Sequence, residues 1–147
     1  MTNAESPTVV PDVSVAAKWY FDDEDTEQAR QLHERVRRGT MTLLVPDCFF
    51  YEFVGLIRKA ERRVPPRVTA ERAREIVTAI VSLDATVVGS RFMLIDALRL
   101  SQTLDVAPYD ALYLAIADGA GVTFVTADQK LYDRIKHLPY VRWLRDL

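Results

Sequence analysis

The chain has 147 residues, of which 49% are apolar and 27% charged, and its formal net charge is −2. This composition predicts one soluble globular domain, residues 1–147, with its core at about residues 8–145. A net charge this close to zero gives no general attraction to polyanions. Any binding of nucleic acid therefore requires a local basic patch.

The compartment is indicated by what the sequence lacks. Its start, MTNAESPT, is polar and has no apolar segment of the kind that marks a signal peptide. No apolar run approaches the ~20 residues that are needed to cross a bilayer. The single cysteine, Cys48, excludes an internal disulfide and suits a reducing environment, where it would pack as a small apolar side chain. We expect a cytoplasmic protein with no membrane partner.

Short apolar segments alternate with longer helical ones along the chain. Strands are predicted at residues 8–10, 42–45, 85–89, 122–126 and 140–144. Helices are predicted at residues 26–38, 48–63, 70–83, 91–104, 107–118 and 129–136. Strands that are continuous apolar runs and alternate with helices are typical of an α/β fold. We predict a central parallel sheet of about five strands, covered by helices on both faces.

Acidic residues follow three of the predicted strands. Asp12, Asp47 and Asp128 come directly after strands or one or two residues beyond them. In an open parallel sheet, ligands bind beyond the carboxyl ends of the strands. Each of these residues could instead cap the following helix. Asp47, which directly precedes its helix, is assigned as such a cap, whereas Asp12 suits that role less well because Ser14 is also available.

Two further acids lie in the first turns of predicted helices. Glu52 falls at the border of an apolar helix face. Asp110 has Tyr113, Leu114 and Ala117 as its neighbours on the helix surface, so it has no polar face to occupy. The helix dipole stabilises a first-turn acid by roughly 0.3–1 kcal/mol, which is several times less than the cost of burying an unpaired carboxylate. Asp110 therefore requires a cation beside it or a raised pKa.

The pattern predicts that Asp12, Glu52, Asp110 and Asp128 converge at one end of the sheet. Two carboxylates about 5 Å apart at an effective dielectric of about 20 repel by roughly 3 kcal/mol. A hard divalent cation relieves this repulsion, and Mg²⁺ or Mn²⁺ prefers oxygen ligands. Zinc is not expected, because the histidines are isolated and no Cys-x-x-Cys spacing occurs.

At these residues the sequence resembles the PIN-domain ribonucleases, especially the VapC toxins of VapBC toxin–antitoxin systems. VVPDVSVAAKW resembles the family's first strand with its acid, here Asp12, and PDCFFYEFVGLIRKA resembles the second motif, with Glu52. APYDALYLAIA is similar to the third motif, with Asp110, and FVTADQKL to the fourth, with Asp128. The four motifs occur in order at family-like spacings, and the resemblance covers nearly the whole chain.

The resemblance implies a Rossmann-like, three-layer αβα sandwich that acts as a Mg²⁺- or Mn²⁺-dependent endoribonuclease. It also implies a homodimer and a small VapB-like antitoxin that covers the active groove. Asp12, Asp110 and Asp128 are assigned as metal ligands, direct or through water, and Glu52 as a ligand or as the residue that orients the attacking water. Two hydroxyl residues that lie beside these acids, Ser14 and Thr126, are assigned to support them. The alternative for both is a plain capping or turn role.

An acidic centre repels RNA, so a basic rim is required. Residues 58–74 contain seven basic side chains against two acidic ones. Arg58, Lys59 and Arg62 follow Glu52 on one helix and are the first candidates for the rim, with Lys18 as a further one. The alternative is a solvated helix surface with ordinary ion pairs.

Two positions depart from the family pattern, and several other functions stay open. Pro11 replaces a more usual strand residue, and Gly55 replaces an Asn common in the second motif, which weakens that helix by up to about 1 kcal/mol.

A phosphatase of the haloacid-dehalogenase type would place a second Asp at position 14, which is Ser14 here. A receiver domain would require paired acids after the first strand. A stand-alone RNA-processing nuclease or a non-catalytic PIN-like scaffold are the remaining alternatives.

Overall fold

A computed structural model describes residues 5–147, so part of the polar start on which the absence of a signal peptide was predicted lies outside the described residues. The five strands are β1 (Thr8–Pro11), β2 (Thr42–Pro46), β3 (Thr86–Val88), β4 (Thr123–Thr126) and β5 (Val141–Trp143). The α-helices are α1 (Val13–Ala17), α2 (Thr26–Arg37), α3 (Phe49–Glu61), α4 (Ala70–Val81), α5 (Leu94–Leu104), α6 (Pro108–Ala120) and α7 (Gln129–Ile135). Two 3₁₀ helices span Ser90–Met93 and Leu144–Asp146.

The strands form one fully parallel sheet in the order β3-β2-β1-β4-β5. Right-handed crossovers therefore place α1 to α4 on one face and α5 to α7 on the other. The packing of α3 against α4, and of α5 against α6, agrees with this arrangement. The predicted three-layer α/β fold with a parallel sheet is confirmed. Its strand order reverses between β1 and β4, which is where such sheets open a crevice for ligands.

The core consists of apolar strand residues between two helical layers. Val10, Leu43 and Phe124 in the central strands have no exposed surface. Phe49 and Phe53 of α3 cover them from one side. On the other side lies α6, whose residues 111–117 are all buried, so this helix is central as its sequence predicted. Within residues 5–147, no helix is both long and apolar enough to cross a membrane.

One short helix was not predicted. Helix α1 follows β1 immediately, and its N-cap is Asp12, whose carboxylate accepts hydrogen bonds from the backbone N–H groups of Ser14 and Val15. The expectation that Asp12 suits the capping role poorly is therefore wrong. Ser14 lies inside the helix and its own hydroxyl points back to Asp12. Helix α1 has five residues, which are too few to show a helical period, so no local pattern indicated it.

The predicted N-cap role of Asp47 is also wrong. Helix α3 begins at Phe49, and the position before it is Cys48, which makes no side-chain capping bond. The carboxylate of Asp47 instead accepts a hydrogen bond from the backbone N–H of Ser90, at 3.3 Å. It therefore ties the end of β2 to the loop after β3, because the turn at residues 47–48 directs it away from the helix.

Residues 22–27 carry five acidic side chains just before and at the start of a helix. Helix α2 begins at Thr26, and Asp22 is exposed. Asp25, however, has only 5% of its side chain exposed. Its carboxylate accepts hydrogen bonds from the Trp143 indole at 3.0 Å and from Arg145 at 2.8 Å. Part of this run therefore holds the C-terminal segment against α2.

Candidate active site

Asp12 lies at the centre of the carboxyl edge of the sheet, between the ends of β1 and β4. Its backbone N–H donates to the carbonyl of Val125 at 3.2 Å, and only 6% of the residue is exposed. Burial, with a smaller contribution from the charge of Asp110, raises the pKa of Asp12 to about 7. Hydrogen bonds from Ser14, Thr126 and the backbone of Val15 oppose this rise. Asp12 is therefore an acid that titrates near neutrality.

Two hydroxyls hold the carboxylate of Asp12 from opposite sides. The hydroxyl of Ser14 donates to Oδ1, and that of Thr126 donates to Oδ2. The backbone N–H of Ala127 donates to Ser14 Oγ at 2.9 Å, and that of Asp128 donates to Thr126 Oγ1 at 3.0 Å. The structure thus places both predicted supporting residues on Asp12. They also join the loops that follow β1 and β4.

Asp110 and Asp128 lie close enough to interact electrostatically. Asp110 is half-buried in the first turn of α6, as predicted from its helical neighbours. Burial raises its pKa to about 6, and the charges of Asp128 and Glu52 add to this rise. Asp128 is exposed and caps α7, because its Oδ1 accepts from the backbone N–H of Leu131 at 3.1 Å. The capping role considered for Asp128 therefore coexists with its place beside Asp110.

Glu52 is half-buried in the first turn of α3 and approaches the site from β2. Its Oε1 accepts a hydrogen bond from the Tyr113 hydroxyl at 3.3 Å and another from the Cys48 thiol at 3.3 Å. Burial raises the pKa of Glu52, and these two hydrogen bonds oppose the rise. Burial and the contact with Glu52 raise the pKa of the Cys48 thiol to about 12, so it is inert as a nucleophile. Cys48 was expected only to pack as a small apolar side chain, and its hydrogen bond to Glu52 was not predicted.

The four acids interact electrostatically, because Asp110 acts on Asp12 while Asp128 and Glu52 act on Asp110. Within residues 5–147, no three acidic, histidine or cysteine side chains converge into a ready-made metal cage. Mg²⁺ keeps several of its waters and is usually held by only one or two carboxylates. An all-carboxylate donor set fits such a hard cation, and a bound cation would favour the ionised forms of Asp12, Glu52 and Asp110, whose pKa values burial raises.

A cationic groove of about 520 Å³ lies beside the hydrogen-bonded groups that hold Asp12. Ser14 and Ala127 lie on its wall, and its basic lining residues are Lys18, Lys59, Arg63 and Arg67. Two of the four predicted rim residues, Lys18 and Lys59, thus face this groove. The other two do not line it: Arg58 pairs with Glu61 at 2.8 Å, and Arg62 borders a separate depression beside Gly55.

Arg63 and Arg67 were missed as individual rim candidates. Both belong to the basic stretch 58–74, which was the available signal. Their position depends on the turn after α3, which the helix pattern alone does not define. Arg67 lies over the Phe21 ring at 4.8 Å and pairs with Asp23 at 3.2 Å, so packing fixes its side chain at the groove.

The fold and these acids define an α/β protein with interacting carboxylates at the switch point of a parallel sheet. The family model described as PIN domain matches residues 9–138. The chain therefore belongs to the PIN domain family. This membership decides against the phosphatase and receiver-domain alternatives. No curated protein sequence matches the chain.

Solved structures share the fold at low sequence identity. The crystal structure of PAE2754 from Pyrobaculum aerophilum has a TM-score of 0.68 and 19% identity, covering 95% of this chain and 92% of that one. A toxin–antitoxin complex from Klebsiella pneumoniae has a TM-score of 0.62 and 12% identity, covering 95% and 99%. VapC20 of Mycobacterium tuberculosis, a sarcin–ricin loop cleaving toxin, has a TM-score of 0.63 and 14% identity, covering 85% and 93%.

Proposed function

We propose that this PIN-domain chain is a metal-dependent endoribonuclease, with residues 8–145 as its single catalytic domain. The observation that carries the proposal is the placement of Asp110 at the switch point of the sheet, where it interacts with each of three other acids, Asp12, Glu52 and Asp128. Buried acids with raised pKa values in a crevice mark functional sites more often than structural ones. Membership of the PIN domain family supports nuclease chemistry over a binding scaffold.

In this proposal Asp12, Asp110 and Asp128 hold Mg²⁺ or Mn²⁺, directly or through water. The cation supplies positive charge that activates a water and offsets the charge of the phosphoryl transition state. Ser14 and Thr126 keep the Asp12 carboxylate in one orientation through their hydroxyls. Glu52 binds the cation or orients the water that attacks phosphorus, after which the bond to the leaving ribose oxygen breaks.

The cationic groove supplies the path for the RNA backbone. A strand with its scissile phosphate at the acids would place neighbouring phosphates against Lys18, Lys59, Arg63 and Arg67. In a single strand, each neutralised phosphate contributes about −0.7 to the slope of log K against log salt. Replacing one contacting lysine should therefore make that slope shallower by about 0.7.

Lys59→Ala tests the groove, with Lys136→Ala as its matched control. Lys136 follows α7 at the opposite edge of the sheet, where it pairs with Asp133. Binding of a labelled single-stranded RNA is measured by fluorescence anisotropy in EDTA across a salt series. We expect weaker binding and a shallower slope for Lys59→Ala alone. Equal slopes for both variants and the wild type would place the RNA elsewhere.

The biological setting proposed is a cytoplasmic toxin that a small VapB-like antitoxin neutralises, acting as a homodimer. The toxin–antitoxin complex of Klebsiella pneumoniae and the toxin VapC20 share this fold, which supports the proposal. A stand-alone nuclease of RNA processing is the alternative. Co-expression with the product of a neighbouring small reading frame separates them, since an antitoxin would co-purify and suppress RNA cleavage, and a stand-alone enzyme would stay active.

The decisive experiment is cleavage of total RNA in the presence of Mg²⁺ or Mn²⁺. Wild type is compared with Asp12→Asn, Asp110→Asn and the control Asp84→Asn, whose carboxylate is exposed just before β3. We expect cleavage by the wild type and the control, none by the other two variants, and none in EDTA. If the wild type leaves the RNA intact, or Asp12→Asn cleaves equally well, the nuclease proposal is wrong.

A further inference from the structure

The carboxylate of Glu52 is held by donors from two different helices. Tyr113, in α6, donates its hydroxyl to Glu52 Oε1 at 3.3 Å. Cys48, one helical turn before Glu52, donates its thiol to the same oxygen at 3.3 Å. Among residues 5–147, no side chain or backbone group donates to the other oxygen, Oε2. One oxygen of Glu52 is thus fixed by the protein and the other is left available.

This arrangement restricts a side chain that is otherwise flexible. Tyr113 is 1% exposed, and its ring packs against Phe124 of β4 with the centroids 6.3 Å apart, so its hydroxyl has a fixed position. Glu has three rotatable side-chain bonds, so ordering this side chain costs conformational entropy. A carboxylate that is already ordered does not incur this cost when a cation binds or a water is activated.

We propose that Tyr113 and Cys48 are positioning residues, which fix Glu52 through Oε1 so that Oε2 is free for the cation or for the attacking water. The inference rests on the proposed nuclease function and assigns a role to two residues that this function does not otherwise use. Groups that hold a metal-site carboxylate typically change metal affinity or activity about 10- to 100-fold when they are removed. Losses within this range are expected here.

A purely structural role is the competing explanation. A buried tyrosine hydroxyl requires a partner, and Glu52 could serve only to satisfy it. In that case, removing the hydroxyl would change stability and leave the chemistry of Glu52 unaffected. The two explanations therefore differ in Mn²⁺ binding and in turnover, and not in the melting temperature.

The test uses the full chain with Tyr113→Phe, Cys48→Ala and the double variant. Tyr140→Phe is the matched control, because Tyr140 is half-buried before β5, at the opposite edge of the sheet. Mn²⁺ alone is titrated by calorimetry, and kcat and KM are measured on a labelled single-stranded RNA. We expect the double variant to lose about 10- to 100-fold in Mn²⁺ affinity or in kcat, with KM for RNA unchanged. Cys48→Ser should retain the function that Cys48→Ala loses, because it keeps a donor.

The same substitutions in a Glu52→Gln background identify the route of the effect. If Tyr113 acts through Glu52, then Tyr113→Phe should have no further effect in that background. Equal losses in both backgrounds, or a double variant that lowers only the melting temperature, would overturn the inference. Absence of RNA cleavage by the wild type would refute the nuclease function separately, since the Mn²⁺ titration does not depend on RNA.

Discussion

Asp12→Asn should stabilise the metal-free protein, and by an amount that depends on pH. Burial raises the pKa of Asp12 from 3.8 to about 7. Between these values the unfolded chain has lost this proton while the folded chain keeps it, so stability falls as pH rises. A tenfold change in an acid dissociation constant corresponds to about 1.36 kcal/mol. The total penalty is therefore about 4 kcal/mol, of which about 3 kcal/mol develops between pH 5 and pH 8.

The substitution removes the charge and keeps the helix cap. Asn is as good an N-cap as Asp, so its side-chain oxygen can still accept from the backbone N–H groups of Ser14 and Val15. Urea unfolding of both proteins in EDTA measures the effect at pH 5 and pH 8. The stability advantage of Asp12→Asn should grow by about 3 kcal/mol over this range. Asp84→Asn, at an exposed site, should show no such growth.

Two results would refute this reasoning. An advantage that is the same at pH 5 and pH 8 would show that Asp12 does not keep its proton in the folded protein. A variant that is less stable than wild type at pH 8 would show that the ionised carboxylate is already compensated without a cation. Added Mn²⁺ provides an internal check, because it should stabilise the wild type at pH 8. The difference in the free energy of unfolding between wild type and Asp12→Asn should then decrease.

Two further predictions concern single positions. Gly55→Ala should stabilise the protein by about 0.5–1 kcal/mol in thermal unfolding, because Gly55 is exposed within α3 and an added Cβ meets no atom within 4 Å. Gly121→Ala is the contrasting variant and should destabilise the protein, because Gly121 has a φ of +67°. Thr126→Val should raise the pKa of Asp12 further, because it removes the hydrogen bond to Oδ2. Mn²⁺ affinity measured by calorimetry should then fall several-fold at pH 7 and recover partly at pH 9, and equal losses at both pH values would contradict this cause.

Much of the fold follows from local sequence. The strands and the longer helices lie within a few residues of their predicted bounds, because the strands are continuous apolar runs and these helices are long enough to show a helical period. The position of Asp110 could also be predicted, since helical geometry alone determines its apolar neighbours along α6. Helix α1 could not be predicted from the sequence, because so short a helix directly after a strand shows neither the helical nor the strand period.

The contacts that organise the candidate site are mostly long-range. The hydrogen bond from Thr126 to Asp12 joins residues 114 positions apart, and that from Tyr113 to Glu52 joins residues 61 apart. Asp47 bonds to Ser90 across 43 positions, which is why its predicted capping role failed. Such partners depend on which strands become neighbours, and this is a property of the whole sheet and not of any local pattern.

The dual use of Asp12, as a buried acid and as the cap of α1, has a consequence for how this chain can change over time. A change to alanine would remove the buried charge and the cap together, whereas a change to asparagine removes the charge and keeps the cap. Of these two variants at position 12, the asparagine variant should therefore be the more stable, by the roughly 0.5–2 kcal/mol that an N-cap side chain contributes. The chain can therefore lose the charge of Asp12 and still keep helix α1, provided that asparagine replaces the aspartate.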